Sequence, residues 1–226
     1  MEIRDKIIVI TGGGKGIGRA CAMLLSGAGN TIIITGRTEL ALIDTVADIT
    51  NLENNAAYYI GDVTNAGQCR SIIEDIIKTY GRIDILINNA GMSMRGLFQD
   101  TTIELFNKIM DINFTGAVNM TKFALETITQ NKGSIVFISS LSGLKGLPGI
   151  APYGTAKMAL TGFSDSLRCE TNHLGVHVGI VYVGITQNDQ GKKTNKSDGE
   201  LMDILPRNTK YTQEGVARIV SKCIQK

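Results

Sequence analysis

The sequence predicts an α/β fold: a doubly wound parallel sheet with helices on both faces, in a single domain over residues 1–226. Three observations carry this. Short apolar runs alternate with longer amphipathic ones along the chain, the pattern of parallel strands joined by right-handed crossovers. The strand-like runs are nearly all apolar rather than alternating, as strands covered on both faces are. A glycine-rich turn lies between the first strand-like run and the first helical one, where such sheets bind phosphate groups.

The elements follow in order. Strands are expected at residues 7–11, 31–36, 56–61, 83–88, 134–139 and 176–183, each a short apolar run. The intervals between them mostly predict helices, at 16–28, 38–51, 65–80, 102–129 and 152–172, with a last helix at 212–224. Residues 187–210 break the alternation, being polar and lysine-bearing, with Gly191, Gly199 and Pro206. Ligands of open α/β sheets lie beyond the carboxyl ends of the strands. This stretch after the sixth strand is therefore expected to be a lid over the substrate, the alternative being a plain surface loop.

Composition narrows the partners. The 226 residues are 43% hydrophobic and 19% charged, ordinary for a globular chain. A formal net charge of +2 gives no reason to expect nucleic acid or an anionic membrane surface. No apolar run is long enough to span a bilayer, and the N-terminus lacks a signal-peptide core, so a cytoplasmic location is the expectation. Cys21, Cys69, Cys169 and Cys223 form no Cys-x-x-Cys pair and are expected as free thiols. His173 and His177 are four apart, but the glycine at 175 argues against a shared helical face, so no metal site is expected.

The turn Thr11-Gly12-Gly13-Gly14-Lys15-Gly16-Ile17-Gly18 carries glycines 12, 16 and 18 in a Gly-x-x-x-Gly-x-Gly pattern. Such a turn needs positive φ and close backbone approach, and it aims N–H groups and a helix N-terminus at a phosphate. It is not the Gly-x-x-x-x-Gly-Lys-Ser/Thr loop of ATPases. The second strand ends Thr35-Gly36-Arg37-Thr38 with no acid to hold a ribose 2′-hydroxyl. Arg37 instead offers a planar fork for a 2′-phosphate, and Lys15 a second cation, so NADP(H) is the expected cofactor.

Tyr153 and Lys157 stand four apart in Tyr-Gly-Thr-Ala-Lys, on one face of the predicted helix. A cation about 4 Å from a phenol, at an effective dielectric of about 20, favours the phenolate by roughly 4 kcal/mol. That lowers a pKa ordinarily near 10 by roughly three units, into the range useful for proton transfer.

With these motifs in order, the chain resembles the short-chain dehydrogenases/reductases from about residue 5 to about residue 186. Thr11–Gly18 resembles the family's cofactor turn. Asp62-Val63 resembles its adenine-contacting acid, with helix capping as Asp62's alternative. Asn88-Asn89-Ala90-Gly91 resembles its signature after the fourth strand. Asn113, Ser140 (thirteen residues before Tyr153), Tyr153 and Lys157 match its catalytic set. The resemblance implies a Rossmann-like sheet and hydride exchange between NADP(H) and a carbonyl or alcohol. Tyr153 would be the general acid or base, and Lys157 would tune it and hold the nicotinamide ribose. Ser140 would hydrogen-bond the carbonyl oxygen, with a strand-end cap as its alternative. Asn113 would bend its helix and hold a relay water. Cofactor contacts are expected from Gly12, Gly14, Lys15, Gly16, Ile17, Gly18, Arg37, Asp62, Val63, Asn89, Ala90, Gly91, Tyr153, Lys157, Gly184, Ile185 and Thr186.

The chain departs from the family pattern twice. The usual Pro-Gly after the sixth strand is Val183-Gly184, and the threonine beyond it is either Thr186 or replaced by Asn188. The usual seventh strand does not follow the last helix, so it is either absent or trimmed and the sheet is expected to end bare. Substrate walls are expected from Ser93, Met94, Leu97, Leu141, Leu144, Leu147 and Ile150, and Lys192, Lys193 and Lys196 either steer an anion or are a solvated face. The resemblance implies a homodimer or homotetramer. A carbonyl reductase is the expectation; the alternatives are a 3-oxoacyl-carrier-protein reductase and a non-catalytic NADP-binding sensor.

Overall fold

Ile8 and Ile10 turn to one face of the first strand and Val9 to the other, and all three are fully buried. This is the packing consequence of a strand with no polar face. The computed structural model describes residues 3–204 and 209–224. Among these, β1 (Ile7–Thr11), β2 (Thr31–Gly36), β3 (Asn55–Ile60), β4 (Ile85–Asn88), β5 (Ser134–Ser140) and β6 (His177–Val183) form a sheet in the order β3-β2-β1-β4-β5-β6. Every neighbouring pair is parallel. Among the described residues no strand of this sheet lies beyond β6.

The helices are α1 (Gly16–Leu25), α2 (Glu39–Thr50), α3 (Ala66–Tyr80), α4 (Ile103–Met110), α5 (Gly116–Gln130), α6 (Ala151–Thr171) and α7 (Gln213–Ile224). One core joins α1, α2 and α7 to Ile8, Ile10, Ile32 and Ile34. The other joins α3, α5 and α6 to Val9, Ile33, Leu86 and Phe137. Phe163 packs against this second core and meets Phe137 and Phe114 edge to face.

Two expected elements differ. The helix predicted over 102–129 is two helices separated by a π turn at Asp111–Thr115. Asn113, in that turn, donates through Nδ2 to the carbonyl of Ile109, four residues back, at 2.9 Å. Gly116 then lets α5 run against Val63, where a Cβ would lie 2.9 Å from Val63 Cβ. Residues 187–204 are not a bare loop: β7 (Lys193–Asn195) and β8 (Leu201–Asp203) form an antiparallel hairpin. The remainder of the predicted lid, 205–208, lies outside the described residues.

The sheet order reverses between β1 and β4. Open α/β sheets bind ligands in the crevice at such a point.

Candidate active site

The glycine turn after β1 and the Asn89–Gly91 turn after β4 meet at that crevice. Thr11 fastens them: its hydroxyl accepts from the N–H groups of Asn89 (3.0 Å) and Ala90 (2.9 Å). Asn89 Nδ2 donates back to the carbonyls of Thr11 (2.9 Å) and Gly12 (3.2 Å). Gly12 and Gly16 have φ of 66° and 58°, the left-handed region that favours glycine. A Cβ on Gly18 would lie 2.9 Å from the Gly12 carbonyl carbon and collide with its oxygen. Gly18 therefore serves the close passage of α1 under the turn; it does not line the cleft.

No side chain caps the first N–H groups of α1. Those groups, with the dipole behind them, suit a pyrophosphate. Asp189 approaches the same turn, its Oδ2 3.5 Å from where a Cβ on Gly16 would sit, and Gln213 Nε2 donates to its Oδ1 at 2.9 Å. Sequence reasoning missed this acid because it comes from the far end of the chain.

Two recesses join at the turn. The smaller, about 300 Å³, is lined by Lys15, Gly36, Arg37, Thr38, Asp62 and Val63 among others. Asp62, the one acid among its lining residues, faces Arg37 with Oδ2 3.6 Å from Nη1. Asp62 does not cap α3, as one reading expected; Asn65 does, accepting from Gln68 N. Asp62 instead accepts from the N–H and hydroxyl of Thr64, both at 2.9 Å. Burial works against its charge, but the Thr64 bonds and the Arg37 guanidinium outweigh it and hold its pKa below the ordinary value. Glu39 is engaged by the Tyr58 hydroxyl at 3.3 Å and does not line this recess.

The larger recess, about 1580 Å³, brings together Asn113, Ser140, Tyr153 and Lys157 with Gly91, Gly184, Ile185, Thr186 and Asn188. Tyr153 and Lys157 lie in the first two turns of α6, as their spacing predicts, with Lys157 Nζ 5.7 Å from the centre of the Tyr153 ring. Lys157 is 4% exposed, and its ammonium donates to the Ile138 carbonyl at 2.9 Å. Burial pushes its pKa from 10.5 down to about 8, so it still carries its proton at neutral pH. Ser140 ends β5 and also caps the next turn, its Oγ accepting from Ser142 N at 3.3 Å. Asn113 Nδ2 is held by Met92 O and Ile109 O, while its Oδ1 is buried without a partner. A Cβ on Gly91 would lie 2.7 Å from that oxygen and 3.7 Å from Lys157 Nζ, so both border one small space that only glycine leaves open.

Thr186 is 6% exposed and donates to Gly184 O at 3.2 Å. Of the expected substrate walls, Ser93, Met94, Leu141, Leu147 and Ile150 line the recess, whereas Leu97 and Leu144 do not. Lys193 and Lys196 pair with Asp203 (3.9 Å) and Glu200 (2.7 Å), which weakens the reading of these lysines as an anion-steering set. Among the described residues no cluster of His, Cys, Asp or Glu suits a metal, and no helix is long and apolar enough to cross a membrane.

The uncapped helix, the two glycines with positive φ and the paired recesses fit a dinucleotide laid across the crevice. Comparison with known proteins agrees. Residues 6–199 match the family described as short chain dehydrogenase. The chain is 32% identical to dehydrogenase/reductase SDR family member 7B of Xenopus tropicalis, over 98% of this chain and 75% of that protein. It is 35% identical to an uncharacterized oxidoreductase of Thermotoga maritima, over 92% and 83%. The crystal structure of a dehydrogenase/reductase from Sinorhizobium meliloti 1021 covers 97% of this chain and 88% of its own, with a TM-score of 0.85 at 24% identity, a likeness of fold. The chain thus belongs to the short-chain dehydrogenase/reductase family, nicotinamide-dependent oxidoreductases that act on small molecules.

Proposed function

We propose that this protein is an NADP(H)-dependent carbonyl reductase with Tyr153 as its general acid. The observation that carries the reading is the arrangement of Tyr153 and Ser140 on one cleft, with the buried Lys157 ammonium behind the phenol. The bound dinucleotide supplies the hydride. As a carbonyl is reduced its oxygen gains negative charge. The Tyr153 hydroxyl gives that oxygen its proton, and the Ser140 hydroxyl donates a hydrogen bond to it as the charge develops. In the oxidative direction the same phenolic oxygen takes the proton.

Lys157 acts through Tyr153. The Ile138 carbonyl takes one of its three N–H bonds. The others remain for the cofactor's ribose and for a water bordered by Asn113 Oδ1. That oxygen is an unsatisfied buried acceptor, and a water there gives the proton a route toward solvent.

NADP(H) is preferred over NAD(H) on charge. Lys15 and Arg37 line the smaller recess, and its single acid already faces Arg37. A 2′-phosphate adds a stronger partner for the exposed guanidinium than the Asp62 carboxylate alone.

Tyr153→Phe keeps the ring and removes the proton. It is expected to lower kcat by about a thousandfold, with NADPH affinity, read by fluorescence titration, within twofold of wild type. Turnover equal to wild type would reject the mechanism.

A further inference from the structure

Two buried polar residues stand in a hairpin whose partner strand is exposed. Thr194 and Asn195 in β7 are each 4% exposed, whereas Leu201 in β8 is 62% exposed. A buried polar side chain is unfavourable unless it is hydrogen-bonded, and these two are bonded across the cleft mouth. Asn195 Nδ2 and its backbone N–H both donate to Ser93 O, at 3.1 and 3.3 Å. Asn195 O accepts from Arg95 N at 2.7 Å, and the Thr194 and Ser93 hydroxyls lie 2.8 Å apart. Two residues on, Ser197 O accepts from Thr102 N, at the start of α4, at 3.1 Å.

This close seating needs a notch. A Cβ on Gly96 would lie 2.9 Å from Ser197 Cβ and strike its hydroxyl. The gripped segment matters for the chemistry because Met94, fully buried, packs with Leu105 and Ile109, and Met92 and Tyr153 lie against that cluster. The Lys193–Asp203 and Lys196–Glu200 pairs lie within the hairpin and bridge nothing across the cleft.

We propose that Asn195 is a positioning residue, pinning the β7–β8 hairpin to Ser93 and Arg95 so that it closes the substrate half and holds the Met92–Met94 wall beside Tyr153. This rests on the reading of Tyr153 as the acid. The pin is polar and the wall apolar, so loss of the pin opens the substrate half without touching the glycine turn.

The test uses the full chain and three variants. Asn195→Asp turns a donor into a carboxylate facing the Ser93 carbonyl, Thr194→Val removes the second contact, and Thr194→Ser keeps it. Hydrogen exchange of the protein alone should quicken at least tenfold at the Arg95 and Thr102 amides in Asn195→Asp, and less in Thr194→Val. Amides of β1, β4 and β5 should stay unchanged, and Thr194→Ser should match wild type. Unchanged exchange at Arg95 and Thr102, or a rise shared by the sheet, overturns the proposal. With NADPH and ethyl 3-oxobutanoate, KM for the ketone should rise about tenfold in Asn195→Asp, with kcat changed less than threefold and the NADPH Kd within twofold. An unchanged KM, or a parallel loss of NADPH affinity, overturns it. If wild type does not reduce this ketone, the choice of substrate is what fails, and the exchange result decides the pin by itself.

Discussion

Around the glycine turn, backbones touch because side chains are missing; across the cleft, loops hold each other with buried polar side chains. Gly18 passes under Gly12, and Gly91 leaves a space beside Asn113 and Lys157. Opposite them, Ser93, Thr194 and Asn195 are tied by hydrogen bonds. The lesson is about what each half tolerates. Steric fit between backbones has no graded alternative, whereas a hydrogen-bonded seam loosens one bond at a time.

The largest expected effect separates the halves by glycine. Gly18→Ala puts a methyl against Gly12 O; it should cost about 1–3 kcal/mol of stability and weaken NADPH by about a hundredfold. Gly146, next to Leu147 of the larger recess, has nothing within 4 Å of a Cβ, so Gly146→Ala should stay within about 0.5 kcal/mol. Urea melts and cofactor titrations of the two variants check both, and equal behaviour would erase the contrast.

The next effect sharpens the contrast at Lys157, a charge that burial makes costly. Its folded pKa of about 8 lies below its ordinary 10.5. Between those values the unfolded chain binds more protons, so stability rises with pH there. The penalty is full below pH 8 and relieved toward pH 10.5. Against Lys157→Met, which cannot titrate, wild type should gain about 2 kcal/mol between pH 7 and pH 10. Denaturant melts of both proteins at the two pH values measure it, and a constant difference would mean that the lysine is not desolvated.

Smaller effects lie at the rim of the nucleotide half, where charges are exposed. Arg37→Ala should weaken NADPH about tenfold, about 1.4 kcal/mol, and NADH less than twofold. A wild-type preference for NADH would overturn the cofactor reading. Asp189 brings a negative charge beside the turn that suits pyrophosphate. Asp189→Asn should therefore tighten NADPH about threefold at low salt, with the gain fading as salt is raised; titration in 20 mM and 300 mM salt reads it.

How much was legible in advance follows from distance along the chain. The strands of the sheet, the glycine turn and the Tyr153–Lys157 pair were readable because each depends on neighbours a few residues away. The predicted 102–129 helix breaks at Asn113, where the family resemblance implied a bend; the bond from Asn113 to Met92, 21 residues distant, that supports the π turn was not legible. The β7–β8 hairpin was invisible because Asn195 bonds to Ser93, 102 residues away. The Arg37 fork was legible as a cation, but its pairing with Asp62 across the recess was not.

The sequence by itself determined the alternating strands and helices of a doubly wound sheet, the glycine turn and the four-residue spacing of Tyr153 and Lys157, because apolar periodicity and glycine stereochemistry are local properties. Tertiary structure alone decided that Lys157 is desolvated against Ile138, that Asn113 keeps a free oxygen beside it, and that Asp189 and Asn195 reach the two ends of the cleft. Those outcomes depend on which distant groups are brought together when water is excluded, and no local pattern encodes that.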